Sequence, residues 1–381
     1  MSTALRPLLI FQPTDPVPPD IQFDVTRRFH ADPKENKINL GQGTHRDENG
    51  LPWMLPSIQM AKISLGEINH EYLPIAGFQP FLTEATKLLF DGTEALAKER
   101  IASCQSLSGT GALMLIGLTL KKLNSAPDVI YITDPSWVNH HLMFTTIGFK
   151  VEIIPCYKDG DFFFDAYIAT LKTAISGSPI ILHTCAHNPT GCDPTRDQWK
   201  TIGTTIKERG LFPIFDSAYL GFNSGSFDED AWPIRYFLEK LDIEVTVCLS
   251  LAKNMGLYGE RIGLVTCALS SSSAAKVAQS MIQNVQRATI TAPPAYGARV
   301  AAAILGTPSI REQWAEDLVV MSSRIRKMRK RLYEKLQRLQ TPGDWSHIVR
   351  QTGMFAYLGV SKTRVKYLEG QYIPQTIVCT H

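Results

Sequence analysis

The middle of the chain switches between two hydrophobic patterns. DVIYIT (128–133), PIILHT (179–184), LFPIFD (211–216), VTVCLS (245–250) and IGLVTC (262–267) are apolar at consecutive positions. Strands covered on both faces read this way, because both rows of side chains must leave water. These runs predict a mainly parallel sheet. Between them the spacing changes to threes and fours. Leu113, Ile116 and Leu120 mark a helix after SLSGTG, and Trp199, Ile202 and Ile206 mark another. The second is expected to start at Asp193-Pro194, with Asp as N-cap and Pro in the first helical position, and to stop at Gly210. A third pattern runs from about Ile310 to Leu339, with a stripe of Trp314, Leu318, Met321, Ile325, Met328, Leu332 and Leu336. Strands alternating with helices give an α/β chain.

Composition narrows the class. The 381 residues are 44% apolar and 20% charged, enough for a large domain with a smaller one. A net charge of +3 gives no reason to expect nucleic acid or an acidic membrane surface. Six of the eight residues from Arg324 to Arg331 are basic. Ile325 and Met328 interrupt that run, so it reads as the solvated face of a helix. No apolar run is long enough to span a membrane. LLIF near the N-terminus is too short for a secretory signal, and a cytoplasmic protein is expected. Seven scattered cysteines suit reduced thiols. His183, Cys185, His187 and Cys192 match no zinc spacing, and no metal is expected.

The candidate chemistry gathers at strand ends and helix starts, where open α/β sheets bind ligands. Ser108, Gly109, Thr110 and Gly111 open a helix whose free N–H groups can receive an anion. Trp137, after a strand, offers a flat face. Asn188 precedes a proline at another strand end and can donate to a ligand oxygen. Asp216 closes an apolar strand, where a lone carboxylate is costly, and no Lys or Arg lies in its stretch. Tyr219 follows three residues on. SLAKNMGLYGERIG then carries Ser250, Lys253 and Arg261 out of a buried strand. Each has an ordinary structural explanation alone. Together they describe a ligand with a flat ring, a phosphate, a cationic ring nitrogen, a phenolic oxygen and an aldehyde. Pyridoxal 5'-phosphate is that ligand, recognised by a Schiff-base lysine and an acidic partner for the pyridinium.

INLGQGTHRDENGLPWMLPS, NHEYLPIAGFQPF, QSLSGTGAL, CAHNPTGCDPT, IFDSAYLGF, LAKNMGLYGERIG, APPAYGARV and QTGMFAYLG, in this order, resemble the class I aminotransferases of fold-type I, the aspartate aminotransferase family. The resemblance extends from about residue 20 to 360. It implies a seven-stranded, mainly parallel sheet in a large domain at 51–319. A smaller α/β domain would comprise 1–50, with an N-terminal arm, and 320–381. It implies that Lys253 holds pyridoxal 5'-phosphate as a Schiff base and then moves the substrate's α-proton. Asp216 would keep the ring nitrogen protonated, with His140 and His183 behind it. Asn188 and Tyr219 would bond the phenolic oxygen, and Trp137 would stack on the ring. Ser108, Gly109, Thr110, Ser250 and Arg261 would hold the phosphate, joined by Tyr72 from a second subunit of a homodimer. Substrate would meet Gly43, Trp137, Asn188 and Arg287. Arg287 lies 34 residues after Lys253, at the family's place for binding the distal carboxylate. A guanidinium suits that task because it grips a carboxylate with two parallel bonds. The implied reaction is a ping-pong amino transfer between L-aspartate, or a related amino acid, and 2-oxoglutarate.

Three departures from the family set further expectations. Gln42, Thr44 and His45 replace usual apolar and tyrosine residues beside the substrate pocket, which keeps an aromatic- or kynurenine-type specificity open. Ala292 replaces a usual asparagine. The family also continues for a few dozen residues beyond this ending, with the arginine for the α-carboxylate, and no arginine follows Arg364 here. A shortened homologue that binds cofactor but is catalytically impaired is therefore a second expectation.

Overall fold

The apolar runs form one sheet. Its strands are β1 (Ile101–Leu107), β2 (Val129–Asp134), β3 (Lys150–Pro155), β4 (Pro179–His183), β5 (Phe212–Ser217), β6 (Val245–Ser250) and β7 (Ile262–Ala268). They lie in the order β1-β7-β6-β5-β4-β2-β3. Strands β2 to β6 run parallel, and β7 is antiparallel to both β1 and β6. Every residue of β4, β6 and β7 is buried, as consecutive apolar positions predicted. The computed structural model describes residues 16–34, 37–41, 43–124 and 126–372. They form two compact units, one of 43–359 and the other of the described residues up to 41 with 360–372. The second contains the helices Ile21–Ala31 and Lys362–Tyr372.

In the larger unit, helices cover both faces of the sheet. One face packs α1 (Ser108–Leu123) and α4 (Ser272–Thr289) over Ile214, Cys248 and Val265. The other packs α3 (Arg196–Arg209), α5 (Tyr296–Gly306) and α6 (Pro308–Arg338) around Phe215, Leu249 and Leu264. Alternate residues share a face of a strand. Ile214 with Asp216, and Cys248 with Ser250, therefore point toward α1. The same parity that buries the apolar pair brings the two polar ends to the start of that helix.

The structure differs from expectation at four points. Helix α3 begins at Arg196, not at Asp193-Pro194: Thr195 is its N-cap, in a capping box with Gln198. Asp193 turns inward instead and accepts from the backbone N–H groups of Ala186 (2.7 Å) and His187 (2.9 Å). The stripe on α6 is buried at Trp314, Leu318 and Met321, but Met328 and Leu332 are 36% and 41% exposed. Arg329, read as part of a solvated basic face, is 8% exposed and faces inward. β1 and β3 were not among the predicted strands. β1 carries Ser103, Gln105 and Ser106 among its apolar residues, and β3 is a half-exposed edge.

Candidate active site

β5 delivers Asp216 to the carboxyl end of the sheet, 7% exposed, beside His183 of β4 and Cys248 of β6 in register. Its partner is His140, on α2 (Val138–Ile147), whose Nε2 donates to Asp216 Oδ2 at 3.0 Å. No local lysine or arginine was needed, because a helix 76 residues earlier supplies the donor. His140 Nδ1 meets the Ser136 hydroxyl at 2.9 Å, and that hydroxyl also lies 3.4 Å from His183 Nε2. Burial pushes the Asp216 carboxyl up, but the bond from His140 reverses this and leaves it below the ordinary carboxylate value. Burial holds the His183 imidazole down at about 3. The ligand atoms of His140, His183 and Asp216 lie within 4.8 Å of one another. The hydrogen-bonded chain accounts for that closeness. Cys185 and Cys192 turn elsewhere, to the carbonyls of Tyr219 and Gly160.

Lys253 leaves β6 three residues after Ser250, and its Nζ lies 4.9 Å from the centre of the Tyr219 ring. Burial lowers its pKa, Arg261 pushes the same way, and Asp216 opposes both. Tyr219 is buried, and its hydroxyl accepts from Asn188 Nδ2 at 3.3 Å. Burial and the charge of Asp216 raise the phenol's pKa. Ser108 opens α1 in a left-handed conformation (φ 61°), and its hydroxyl meets that of Ser250 at 2.7 Å. A Cβ placed on Gly109 would lie 3.3 Å from Ser250 Cβ and 3.9 Å from Asp216 Oδ1. The glycine keeps a space open between the helix start and the carboxylate. The first turn of α1 contains no acidic residue that would oppose an anion there.

A neutralisable amine, a buried carboxylate, a phenol with an amide, and an open helix start thus surround one space. Comparisons with known proteins add the family. The model for aminotransferases of class I and II matches residues 35–381. The chain belongs to that family. It is 40% identical over 361 residues to the cytoplasmic aspartate aminotransferase of Schizosaccharomyces pombe, covering 93% of this chain and 88% of the relative. The cytoplasmic aspartate aminotransferase structure from Saccharomyces cerevisiae superposes with a TM-score of 0.92 at 39% identity, over 94% of this chain and 90% of the other. An aromatic-amino-acid aminotransferase from Burkholderia pseudomallei, covalently bound to pyridoxal phosphate, has a TM-score of 0.92 at 33% identity, over 97% and 93% of the two chains.

Within this aminotransferase, direct contacts join most of the predicted site. Trp137 precedes α2 with its ring edge-on to His140, 5.3 Å between centres, and Thr110 lies in the first turn of α1. Gly43 packs on Phe355, where a Cβ would come within 3.1 Å of the ring. Phe355 in turn meets the Tyr219 ring edge to face, 5.7 Å between centres at 89°. Arg261 (φ 51°) is exposed and donates to the carbonyl of Tyr258 at 3.0 Å. Tyr72 is 87% exposed, and Arg287 is exposed in the last turn of α4. Neither makes a contact with the Lys253 cluster among the described residues.

Gln42 lies outside the described residues. His45 is 7% exposed, and its backbone N–H donates to the Tyr258 hydroxyl at 2.8 Å, which ties the 43–45 segment to the Lys253 loop. Burial and the charge of Arg324 hold the His45 imidazole down at about 4. Sequence reasoning missed Ser136, Tyr258 and Phe355. Ser136 sits four residues before His140, a helix-like spacing that could have revealed it. Phe355 is a neighbour only in three dimensions, and Tyr258, though in the Lys253 loop, finds its partner His45 213 residues away.

Proposed function

We propose that this aminotransferase uses pyridoxal 5'-phosphate to exchange the amino group of L-aspartate with 2-oxoglutarate. The observation that carries the reading is Lys253: a lysine whose pKa burial lowers, beside a buried carboxylate and a phenol. The donor set fits the cofactor part by part. Lys253 would hold its aldehyde carbon and Asp216 its ring nitrogen. Asn188 and Tyr219 would hold the phenolic oxygen, and Trp137 the ring face. Ser108, Gly109, Thr110, Ser250 and Arg261 would hold the phosphate. When bound, the cofactor supplies an electron sink for the substrate's α-carbon.

The protein's own part is binding and proton control. His140 keeps Asp216 ionised, and an ionised Asp216 favours a proton on the group it faces. The lowered pKa of Lys253 lets Nζ give up a proton readily, so it can take one from the substrate's α-carbon and return it. Arg287 would bind the distal carboxylate of a dicarboxylic substrate, and Gly43 would border that substrate. Tyr72 and Arg287, both exposed, suit a homodimer in which Tyr72 reaches the second subunit's phosphate. A cytoplasmic location accords with the location in the relatives' names. No helix among the described residues is long and apolar enough to cross a membrane.

The test is a half-reaction. L-aspartate is added to the cofactor-loaded protein, and the cofactor's absorbance and oxaloacetate release are followed beside Lys253→Ala. A spectral change with stoichiometric oxo acid, absent in the variant, is expected. An unchanging spectrum in the parent protein refutes the reading.

A further inference from the structure

Arg329 has no part in the site described above, yet it is a buried charge close to it. Its neighbours on α6, Arg326, Lys327, Lys330 and Arg331, are exposed. Arg329 Nη1 donates to the carbonyl of Ile348 at 3.2 Å. Nη2 donates to those of Thr352 (3.0 Å), Gly353 (2.9 Å) and Phe355. Only Nε has no partner. Burying a guanidinium is costly unless its geometry is used, and a rigid fork is what can gather several carbonyls at once.

The gathered segment is fastened on its other side by Asp193. Thr352 donates from its backbone N–H to the carbonyl of Gly191 (2.7 Å) and from its hydroxyl to Asp193 Oδ2 (2.8 Å). Asp193 also accepts from Ala186 and His187, in the loop that leads to Asn188. The two segments press close: a Cβ on Gly353 would lie 2.2 Å from that of Ala186. Tyr219 stands between their functional ends. Asn188 donates to its hydroxyl, and the Phe355 ring meets its ring at right angles.

We propose that Arg329 is a positioning residue for Tyr219. By gathering the carbonyls of 348–355 it sets the Phe355 ring perpendicular to the Tyr219 ring and fixes where the phenol points. The role rests on the pyridoxal 5'-phosphate reading above. Lysine at 329 would keep the charge, but one nitrogen cannot serve carbonyls from Ile348 to Phe355. Leucine at 355 would remove the ring edge and leave the lock intact.

The test compares the holoenzyme with Arg329→Lys and Phe355→Leu. Both are expected to shift the pH midpoint of the bound cofactor's absorbance by about 0.5 unit, a roughly threefold change in proton affinity. Both should lower kcat/KM for L-aspartate about tenfold, the order of cost for a small misplacement. In Arg329→Lys, amide exchange should quicken at Thr352 and at Phe222, whose N–H donates to the Tyr219 carbonyl, and not in β5 and β6. Exchange needs neither cofactor nor turnover. A parent protein that fails to transaminate therefore refutes the function, while exchange still decides the role of Arg329. Unshifted midpoints in both variants overturn the proposal. So does exchange that quickens at Thr352 but not at Phe222, or throughout the sheet. If Arg329→Lys does not fold, Phe355→Leu decides alone: an unshifted midpoint overturns the proposal.

Discussion

Leucine in place of His140 would keep a side chain of similar volume and delete the donor to Asp216. His140 is 0% exposed and Asp216 7%, so no water replaces the lost 3.0 Å bond. A hydrogen bond to a charged group contributes about 1.5–3 kcal/mol. For a chain of 381 residues the unfolding entropy is roughly 0.8 kcal/mol per kelvin, so Tm should fall by about 2–4 °C near neutral pH. The pH dependence separates this bond from general damage. In the parent, Asp216 lies below its ordinary pKa. Its contribution is present above about pH 4 and is lost as pH falls through the native value. Without His140 burial dominates, the native pKa rises above the ordinary value, and the carboxylate costs stability at neutral pH. The gap between the two proteins should be widest at neutral pH and narrow as pH falls towards 4, where the variant's carboxyl takes up its proton. Thermal unfolding of the cofactor-free proteins from pH 4 to 8 reads it directly. In an Asp216→Ala background the cost of His140→Leu should drop to under about 1 kcal/mol, since the bond is already absent. A gap independent of pH, or an undiminished cost in that background, would refute the reasoning.

Two glycines give sharper contrasts. Gly109→Ala places a Cβ 3.3 Å from Ser250 Cβ in the space beside Asp216. Helix propensity should leave Tm of the cofactor-free protein unchanged or slightly raised, while cofactor affinity measured by spectral titration falls about tenfold. Gly353→Ala acts on the fold as well. With φ at 71° and a Cβ 2.2 Å from that of Ala186, it should lose about 2–4 kcal/mol in urea unfolding of the cofactor-free protein.

What was legible in the sequence depended on whether a residue's partner was local or distant. β6 reads as a strand because every one of its side chains must be dry, and Lys253 follows it directly. Asp216, Asn188 and Ser108 were visible for the same reason: each is polar at the edge of an apolar element. β1 was hidden because its polar residues find their partners on other, distant segments. Ser103 bonds Thr266, and Gln105 reaches the backbone of Phe78 and Pro294. Asp193 looked like a helix cap because Asp before Pro usually is one. Its real partners include Thr352, which is 159 residues away. Arg329 was misread for the same reason. Its run of basic neighbours is local, whereas the carbonyls it serves belong to a segment that returns only in three dimensions.

His183 makes the acid behaviour of the site a test of why an imidazole stands there. It is 6% exposed, between the rings of His140 at 5.2 Å and His187 at 4.1 Å. Burial first, and His140 next, push its pKa down to about 3, against the opposing pull of Asp216. The native protein therefore leaves His183 neutral where the unfolded chain binds a proton, from about pH 6.5 downward. The unfolded state then holds more protons, so stability falls as pH falls, by up to about 1.4 kcal/mol per unit for one such group. His183→Asn keeps a polar side chain without this titration. Its unfolding free energy, measured in urea between pH 4 and 5.5, should fall less steeply than the parent's by about that slope. His187, also held well below its ordinary value by burial, would retain its own share. Equal slopes would mean that His183 is already charged in the native state. It would then place a second positive group beside Asp216, in competition with the ring nitrogen that the carboxylate is proposed to hold. A neutral imidazole avoids this. It can line the site and accept the Asn188 N–H at 3.5 Å without adding charge, and the loss of stability in acid follows from that neutrality.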